Sequence, residues 1–280
     1  MAQADRFLLA GVMGFPVMHS RSPRLHNYWL AHYGLAGTYL PLAIARERLG
    51  AALRALPALG FSGCNLTIPH KEAALELVDQ VDPLARRIGA VNCVVVLPDG
   101  SLAGHNYDAF GYIESIREAH PGWRADAGPV VVIGAGGGAR AVLVGLIEQG
   151  AREIRLVNRT LARAQELERT LGRPIAAVDW RERKHALAGA AMLVNTTSQG
   201  MAGEPALDLA LDALPVTALV SDVIYIPRET PLLAAARIRG NPAVNGLGML
   251  LHQARPAFHA WFGVMPEVTT EVRALIEATT

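Results

Sequence analysis

Short apolar runs alternate with stretches of helical period along almost the whole chain. Strands buried on both faces read as continuous apolar runs, and crossover helices show one apolar face, so the alternation predicts an α/β fold with mostly parallel sheets. In the first part, strands are expected near 6–12, 37–42, 61–67 and 91–97, and helices near 23–34, 46–56 and 70–78. Pro98-Asp99-Gly100 is a turn signal, and 101–106 returns as a strand, which makes one antiparallel hairpin and a mixed sheet. A second series starts at Pro129, with strands expected at 130–133, 153–157, 175–179, 191–195, 218–223 and 242–244. Six strands that open on a glycine loop describe a doubly wound, Rossmann-type nucleotide domain. The polar segment AHPGWRADAGP (119–129) suits a linker. The domains are expected at 1–108 and 109–245, with helices near 246–262 and 267–278 packing back on the first domain as part of 246–280.

Composition narrows the function. The chain has 280 residues, 51% of them hydrophobic, which is enough for two packed cores and excludes disorder. A formal net charge of +1 provides no field for nucleic acid or an anionic membrane, so any anion must be bound locally. Two cysteines, Cys64 and Cys93, make no disulfide framework and suit a reducing cytoplasm. The nine histidines show no metal-site spacing, and no metal is expected. FLLAGVMGF near the start is apolar, but its glycines and the polar HSRSP after it suit a strand and turn better than a signal peptide, and no run is long enough to span a membrane.

The most informative stretch is VVVIGAGGGARAVLVGLIEQGAREIRLVNRT. Gly134-Ala135-Gly136-Gly137-Gly138-Ala139 fits GxGxxA and sits where such a loop must sit, after a β-branched strand and at the opening of a helix. Gly134 permits the tight turn, and Gly136 lets backbone N–H groups approach a pyrophosphate at the helix N-terminus. The next strand ends in Asn158-Arg159-Thr160, where an NAD site would usually carry an acid for the ribose 2′-hydroxyl. Arg159, with Arg163 four residues on, can instead fork onto a 2′-phosphate, so NADP(H) is expected over NAD(H); Arg163 also reads as an ordinary surface helix residue.

Two motifs in the first domain carry chemistry. In PVMHSRSP, Ser20 and Ser22 are two apart, so in an extended segment both hydroxyls face one way. With Pro23 at the first helical position they fit a small carboxylate, or ordinary capping by one serine. In CNLTIPHKEA, Asn65 and Thr67 alternate with apolar residues and share one side of a strand. Lys71 then falls in the first turn of the expected helix, where the dipole disfavours an ammonium and suits a proton donor; a solvated lysine is the plainer reading. Asn92 ends the turn GAVN, and Asp108 ends HNYD, where it fits a partner for Lys71 or a cap for the helix at 109–118.

PVMHSRSP, NLTIPHK, GAVN, HNYDAFG, IGAGGGAR, NRT, NTTSQGM and NGLGMLLHQA occur in the order found in shikimate dehydrogenases, and the chain resembles that family over nearly its whole length. The resemblance implies a substrate domain, an NADP-binding domain and reversible reduction of 3-dehydroshikimate to shikimate, a step toward aromatic amino acids. By position, Ser20 and Ser22 look like carboxylate ligands, Asn65, Thr67, Asn92 and Gln253 like ligands of the ring hydroxyls, and Lys71 and Asp108 like the catalytic pair. Tyr225 lies in a stretch that lines the family's cleft, Gly246 and Met249 look like neighbours of the nicotinamide, and Asn195 and Thr196 like cofactor-loop residues. The expected partners are the small substrate and the cofactor, in a monomer or homodimer. Three positions depart from the family's pattern: Tyr107 where threonine is usual, Cys93 for threonine, and Asn245 for aspartate. Tyr107 motivates an alternative, a quinate/shikimate or aminoshikimate dehydrogenase. A nucleotide-binding sensor without turnover is the reading from another class, and the presence of both Lys71 and Asp108 opposes it.

Overall fold

The computed structural model describes residues 7–278, so Arg6, the first residue of the first expected strand, and both ends of the first expected domain (1–6, and 279–280 of its C-terminal part) lie outside the described residues. The chain divides into two compact units. One runs to Tyr107 and resumes at Leu251; the other is Asp108–Leu250.

The first unit is built on a six-stranded mixed sheet. Its strands are β1 (Leu8–Gly14), β2 (Gly37–Ala43), β3 (Phe61–Leu66), β4 (Gln80–Val81), β5 (Cys93–Val96) and β6 (Leu102–His105), in the order β2-β1-β3-β5-β6-β4. β1 lies parallel to β2 and β3, while β3–β5 and the hairpin β5–β6 are antiparallel. Helices α1 (Ser22–His32), α2 (Leu49–Ala55) and α3 (Pro83–Ile88) belong to this unit. One core collects Met13, Leu49, Leu53, Leu66, Val91 and Leu102. Both cysteines are buried and unpaired.

The segment after β3 corrects the sequence reading. The helix expected at 70–78 is only a 3₁₀ turn, Ala73–Glu76. The chain there is held by other partners. His70, fully buried, brings Nε2 to 2.8 Å from the Ile44 carbonyl, and the Lys71 carbonyl accepts from the Val91 N–H at 2.8 Å. It then straightens to pair β4 with β6. The short α3 was not expected, although Asp82 caps it by accepting from the N–H groups of Leu84 and Ala85, and Gly89 closes it at φ 75°.

The second unit carries a parallel sheet of β7 (Val130–Ile133), β8 (Ile154–Asn158), β9 (Ile175–Asp179), β10 (Met192–Asn195), β11 (Leu219–Asp222) and β12 (Ala243–Val244), in the order β12-β11-β10-β7-β8-β9. That is the doubly wound order, with the reversal between β7 and β10. Helices α4 (Asp108–Ala119), α5 (Gly137–Glu148), α6 (Leu161–Leu171) and α7 (Pro231–Ile238) complete it. One apolar core uses Ile113, Val132, Leu143 and Leu156; another uses Val131, Leu193, Val220 and Leu233. The segment expected as a linker, 119–129, is the α4–β7 connection inside this unit, and Ala125 is buried in its core.

The division in the C-terminal region falls within α8 (Leu247–Phe262), and α9 (Thr270–Glu277) follows. In the first unit Trp261 donates from Nε1 to the Val94 carbonyl at 2.9 Å. A Cβ on Gly63 would stand 2.4 Å from that nitrogen and 2.0 Å from that oxygen, so only glycine lets the indole approach the sheet. Phe258 is fully buried against Trp29 and Phe262, worth about 1.5–3 kcal/mol of transfer free energy.

Candidate active site

A chain of buried polar side chains runs across one face of the first unit. Asn65, on β3, donates from Nδ2 to the Asn92 carbonyl at 3.0 Å. Its Oδ1 accepts from the Tyr39 hydroxyl at 2.7 Å. Asn92 Nδ2 reaches Gln253 Oε1, on α8, at 3.4 Å, and its Oδ1 accepts from the Tyr107 N–H at 2.8 Å. Ser22, Asn65, Asn92 and Gln253 are all buried and Tyr39 is fully so. Buried polar groups survive only when partnered, and an amide with both ends engaged presents its remaining donor and acceptor in a fixed direction. Such an arrangement is chemically able to read hydroxyls by hydrogen bonds.

The serine pair is not a helix cap. Arg21 occupies the cap position of α1 with no side-chain bond to the helix, and Ser20 Oγ accepts from the Ser22 N–H at 3.3 Å. Lys71 is half-buried in the turn that His70 anchors, not on a helix, so the dipole argument for its protonation has no helix to rest on. Thr67, four residues before it, is half-buried at the end of β3, its backbone held by the Met13 carbonyl. Tyr107 stacks on His105 with ring planes 6° apart, and burial pushes its phenol up. Asp108 follows it, buried, as the first residue of α4 in the second unit.

In the second unit the glycine loop lies between β7 and α5. Gly134 takes φ 108°, and a Cβ there would meet Thr196 Oγ1 at 2.7 Å. Added Cβ atoms at Gly136, Gly137 and Gly138 meet nothing within 4 Å, and α5 starts with no side-chain cap. The first N–H groups of a twelve-residue helix therefore front open space. Beside them a small pocket is lined by Gly134, Asn158, Arg159, Trp180, Thr197 and Gln199. Arg159 and Arg163 are exposed, and among the described residues neither guanidinium has an ion-pair partner; Asn158 folds its Nδ2 onto the Thr160 carbonyl at 2.8 Å.

Asp222, at the end of β11, ties two loops of this unit together. Its Oδ1 accepts from Asn195 Nδ2 and from the Ile224 N–H, each at 3.1 Å, and its Oδ2 accepts from Thr230 Oγ1 at 2.8 Å. Burial raises its carboxyl above the usual range, and these three bonds oppose the rise. Asn195 is fully buried and wholly engaged, with Oδ1 accepting from the N–H and hydroxyl of Thr197. The Thr196 hydroxyl donates to the Ile133 carbonyl at 2.7 Å. Gly246 packs where a Cβ would lie 1.9 Å from the Val223 carbonyl. Asn245 donates to the Arg228 carbonyl at 3.0 Å and accepts from the Leu247 N–H at 3.2 Å, a pairing that an aspartate could not make at its donor end.

The chain matches the shikimate dehydrogenase substrate binding domain over residues 12–94, the shikimate / quinate 5-dehydrogenase family over residues 120–202 and the shikimate 5′-dehydrogenase C-terminal domain over residues 246–276. A shikimate dehydrogenase (NADP(+)) of Paramagnetospirillum magneticum is 57% identical over 268 residues, covering 96% of this chain and 97% of that protein. The chain belongs to the shikimate dehydrogenase family. Among solved structures, shikimate 5-dehydrogenase from Thermus thermophilus in complex with NADP(H) and shikimate aligns at a TM-score of 0.88 and 35% identity, over 98% of this chain and 100% of that one. Quinate dehydrogenase from Corynebacterium glutamicum in complex with NAD aligns at 0.90 and 34%, over 97% and 99%.

Within this chain, Ser20, Ser22, Asn65, Thr67, Lys71, Asn92 and Gln253 all belong to the first unit, and Asn65, Asn92 and Gln253 enter one network by direct bonds, with Tyr39 attached at Asn65. Asp108, Tyr225, Gly246, Met249 and every expected cofactor residue belong to the second. Tyr225 is half-buried in the loop after β11, and Met249 packs partly against the core. Asn195 and Thr196 spend their side chains on shaping the loop, and Ala139 is buried within α5. Tyr39, His70 and Asp222 were not read from the sequence. Tyr39 sits among apolar strand residues with no polar spacing to mark it, and His70 and Asp222 flank segments read for other residues.

Proposed function

We propose that this chain is an NADP-dependent shikimate dehydrogenase, reversibly reducing 3-dehydroshikimate to shikimate on the way to aromatic amino acids in the cytoplasm. One observation carries the reading: 57% identity to a shikimate dehydrogenase (NADP(+)) over nearly the full length of both chains. The residues present fit NADP(H). Open glycines at the uncapped start of α5 suit a pyrophosphate, with Gly134–Ala139 as the cradle, and Arg159 and Arg163 suit a 2′-phosphate at a strand end that carries no acid. When bound, NADPH supplies hydride to the ketone carbon.

The chain's own side chains do the rest. Ser20 and Ser22 hold the substrate carboxylate by their hydroxyls, while Asn65, Thr67, Asn92 and Gln253 fix the ring by its hydroxyl groups. Positioning of this kind contributes up to about 7–11 kcal/mol. Lys71 stabilises the negative charge that gathers on the ketone oxygen and delivers a proton, directly or through Asp108. The chain has only two lysines among 26 basic residues, so its everyday cation is arginine. A lysine at this turn is the cation that can give up a proton, which arginine cannot. Tyr225 serves the substrate from the loop after β11, and Gly246 and Met249 border the nicotinamide.

Absorbance at the nicotinamide band, with shikimate and quinate each offered against NADP and NAD, tests the reading. Shikimate with NADP is expected to turn over fastest. Because the likeness to the quinate dehydrogenase matches that to the Thermus enzyme, the quinate arm is decisive for the alternative: quinate turned over as fast as shikimate would replace this reading with a quinate/shikimate dehydrogenase.

A further inference from the structure

We propose that His70 is a positioning residue for Lys71, its imidazole N–H gripping the Ile44 carbonyl and so fixing the turn that presents the ammonium. The inference rests on the reading of Lys71 as the cation that serves the ketone oxygen. His70 is fully buried, so it acts through its neighbour.

The bonding along this turn shows what the imidazole adds. β3 ends at Leu66, and the next two residues are still held to the end of β1. The Thr67 N–H donates to the Met13 carbonyl at 3.0 Å, and the Ile68 carbonyl accepts from the Phe15 N–H at 3.1 Å. Gly14 allows that closeness, because a Cβ there would stand 2.4 Å from Thr67 Cγ2. Beyond this point the support from β1 stops. Pro69 has no N–H to give. The backbone of His70 bonds within the turn, its N–H to the Thr67 carbonyl at 2.9 Å and its carbonyl to the Ala74 N–H at 3.1 Å. Two bonds from distant segments then hold the turn. One is the Val91 N–H on the Lys71 carbonyl at 2.8 Å, and the other is the Ile44 carbonyl, 2.8 Å from His70 Nε2.

The second bond has only one possible sense. A carbonyl accepts, so Nε2 carries the proton and donates it. Nδ1 is buried and has no hydrogen-bond partner, which leaves the bond to Ile44 as the hydrogen bond of the ring. Ile44 is a fixed point, since its own N–H donates to the Gly14 carbonyl at 3.1 Å. The end of β1, the residue after β2 and the lysine turn are thereby tied together through Ile44. The segment that leads to Ser20 and Ser22 starts from the same anchor. Lysine is a compact charge on a flexible four-carbon stem. Its ammonium keeps one place only if the backbone beneath it is held, and a reacting group out of place forfeits the advantage of proximity.

His70→Asn brings the amide nitrogen back to the place of Nδ1, short of Ile44. His70→Gln puts it at the place of Nε2, where it can donate to the same carbonyl. Steady-state kinetics with shikimate and NADP are expected to show kcat lowered about 10- to 100-fold in His70→Asn, the scale of a misplaced reacting group. KM for shikimate and KM for NADP are expected to stay within about threefold, and His70→Gln to recover most of the lost kcat. In a Lys71→Ala background, His70→Asn is expected to cost less than about twofold further, because it acts only through the lysine. A kcat in His70→Asn close to that of the parent, beside a large loss in Lys71→Ala, would overturn the positioning role and leave the site reading intact. The same fold loss with and without Lys71, or no advantage of glutamine over asparagine, would also overturn it, since a merely structural histidine gives that pattern. An unchanged kcat in Lys71→Ala would overturn the site reading itself, and this inference with it. Urea unfolding of each variant checks the fold; if neither His70→Asn nor His70→Gln folds, His70 is a structural residue and the proposal falls.

Discussion

In the first unit three of the candidate ligands are buried and bonded to one another, Asn65 to Asn92 and Asn92 to Gln253, and Tyr39 holds the other end of Asn65. In the second, the groups aimed outward are backbone N–H groups at three glycines and two exposed guanidiniums, while the buried side chains Asn195 and Asp222 only brace the loops. The difference follows from what each surface must distinguish. Hydroxyl positions on a small ring differ by direction, and direction is read by amides that cannot turn. A phosphate differs from water by charge, which helix-start N–H groups can hold at a pyrophosphate and an exposed arginine can hold at a 2′-phosphate. Substitutions in the first unit should therefore disturb chemistry or geometry, and those on the rim of the second should alter selectivity alone.

The largest effect is expected at Lys71. Lys71→Ala should lower kcat by about 10²–10⁴-fold, the span of general acid catalysis, while KM for shikimate moves little; initial rates at saturating NADP measure it, and a nearly unchanged kcat would remove the lysine from the mechanism. Next, Arg159→Ala should weaken NADPH by about ten- to a hundredfold, matching about 1.5–3 kcal/mol for a charged hydrogen bond, with NADH little changed. Equal loss of both cofactors by titration would show that the strand-end arginine does not read the 2′-phosphate. A smaller effect, on stability alone, belongs to Asp222→Asn. The amide presents a donor where the carboxylate accepted three bonds, and urea unfolding should register a loss of about 1–3 kcal/mol. No loss would mean that the loops of the second unit are braced by something else.

The smallest effect compares two carboxylates of opposite sign. Asp79, on the first unit, is held below its usual range by the Leu102 N–H and by the Arg54 guanidinium. Its contribution is present above the ordinary aspartate value, about 3.9, and is lost as pH falls through the lowered folded value. Asp222, raised by burial, favours the protonated fold, a contribution present at acid pH and lost as pH rises through its raised value. Asp79→Asn should accordingly flatten the acid limb of a Tm-against-pH curve below about pH 4, and an unaltered limb would show that the surface pair is silent.

The second unit was the more legible of the two. Its strands Val130–Ile133 and Ile175–Asp179 fall on the expected ranges, and the others within a residue or two, because strands covered on both faces read as unbroken apolar runs. The first unit was read well where pattern and partners agree, as in β1 to β3, and misread where they part. AALELV has helical spacing, yet its neighbours are fixed from outside, by Ile44 and Val91, and tertiary bonds outweigh local propensity over so short a run. α3 escaped because six residues are too few for periodicity, although Asp82, Pro83 and Gly89 punctuate it. Of the site, Lys71 and the serines were visible as polar residues in motif positions. Tyr39 was not, since an aromatic in a strand is ordinary, and only the fold shows what its hydroxyl meets.

The dependence of the first unit on Leu251 and the residues beyond has a consequence for synthesis. The notch at Gly63 and the Val94 carbonyl are finished only by Trp261, which leaves the ribosome after the entire stretch Asp108–Leu250. At roughly 5–20 residues per second that stretch takes about 7–30 s to translate. During this interval the nucleotide unit can fold while its partner waits with an uncovered hydrophobic seat, the period when chaperones would find it, and a nascent chain stalled before Trp261 would remain open there.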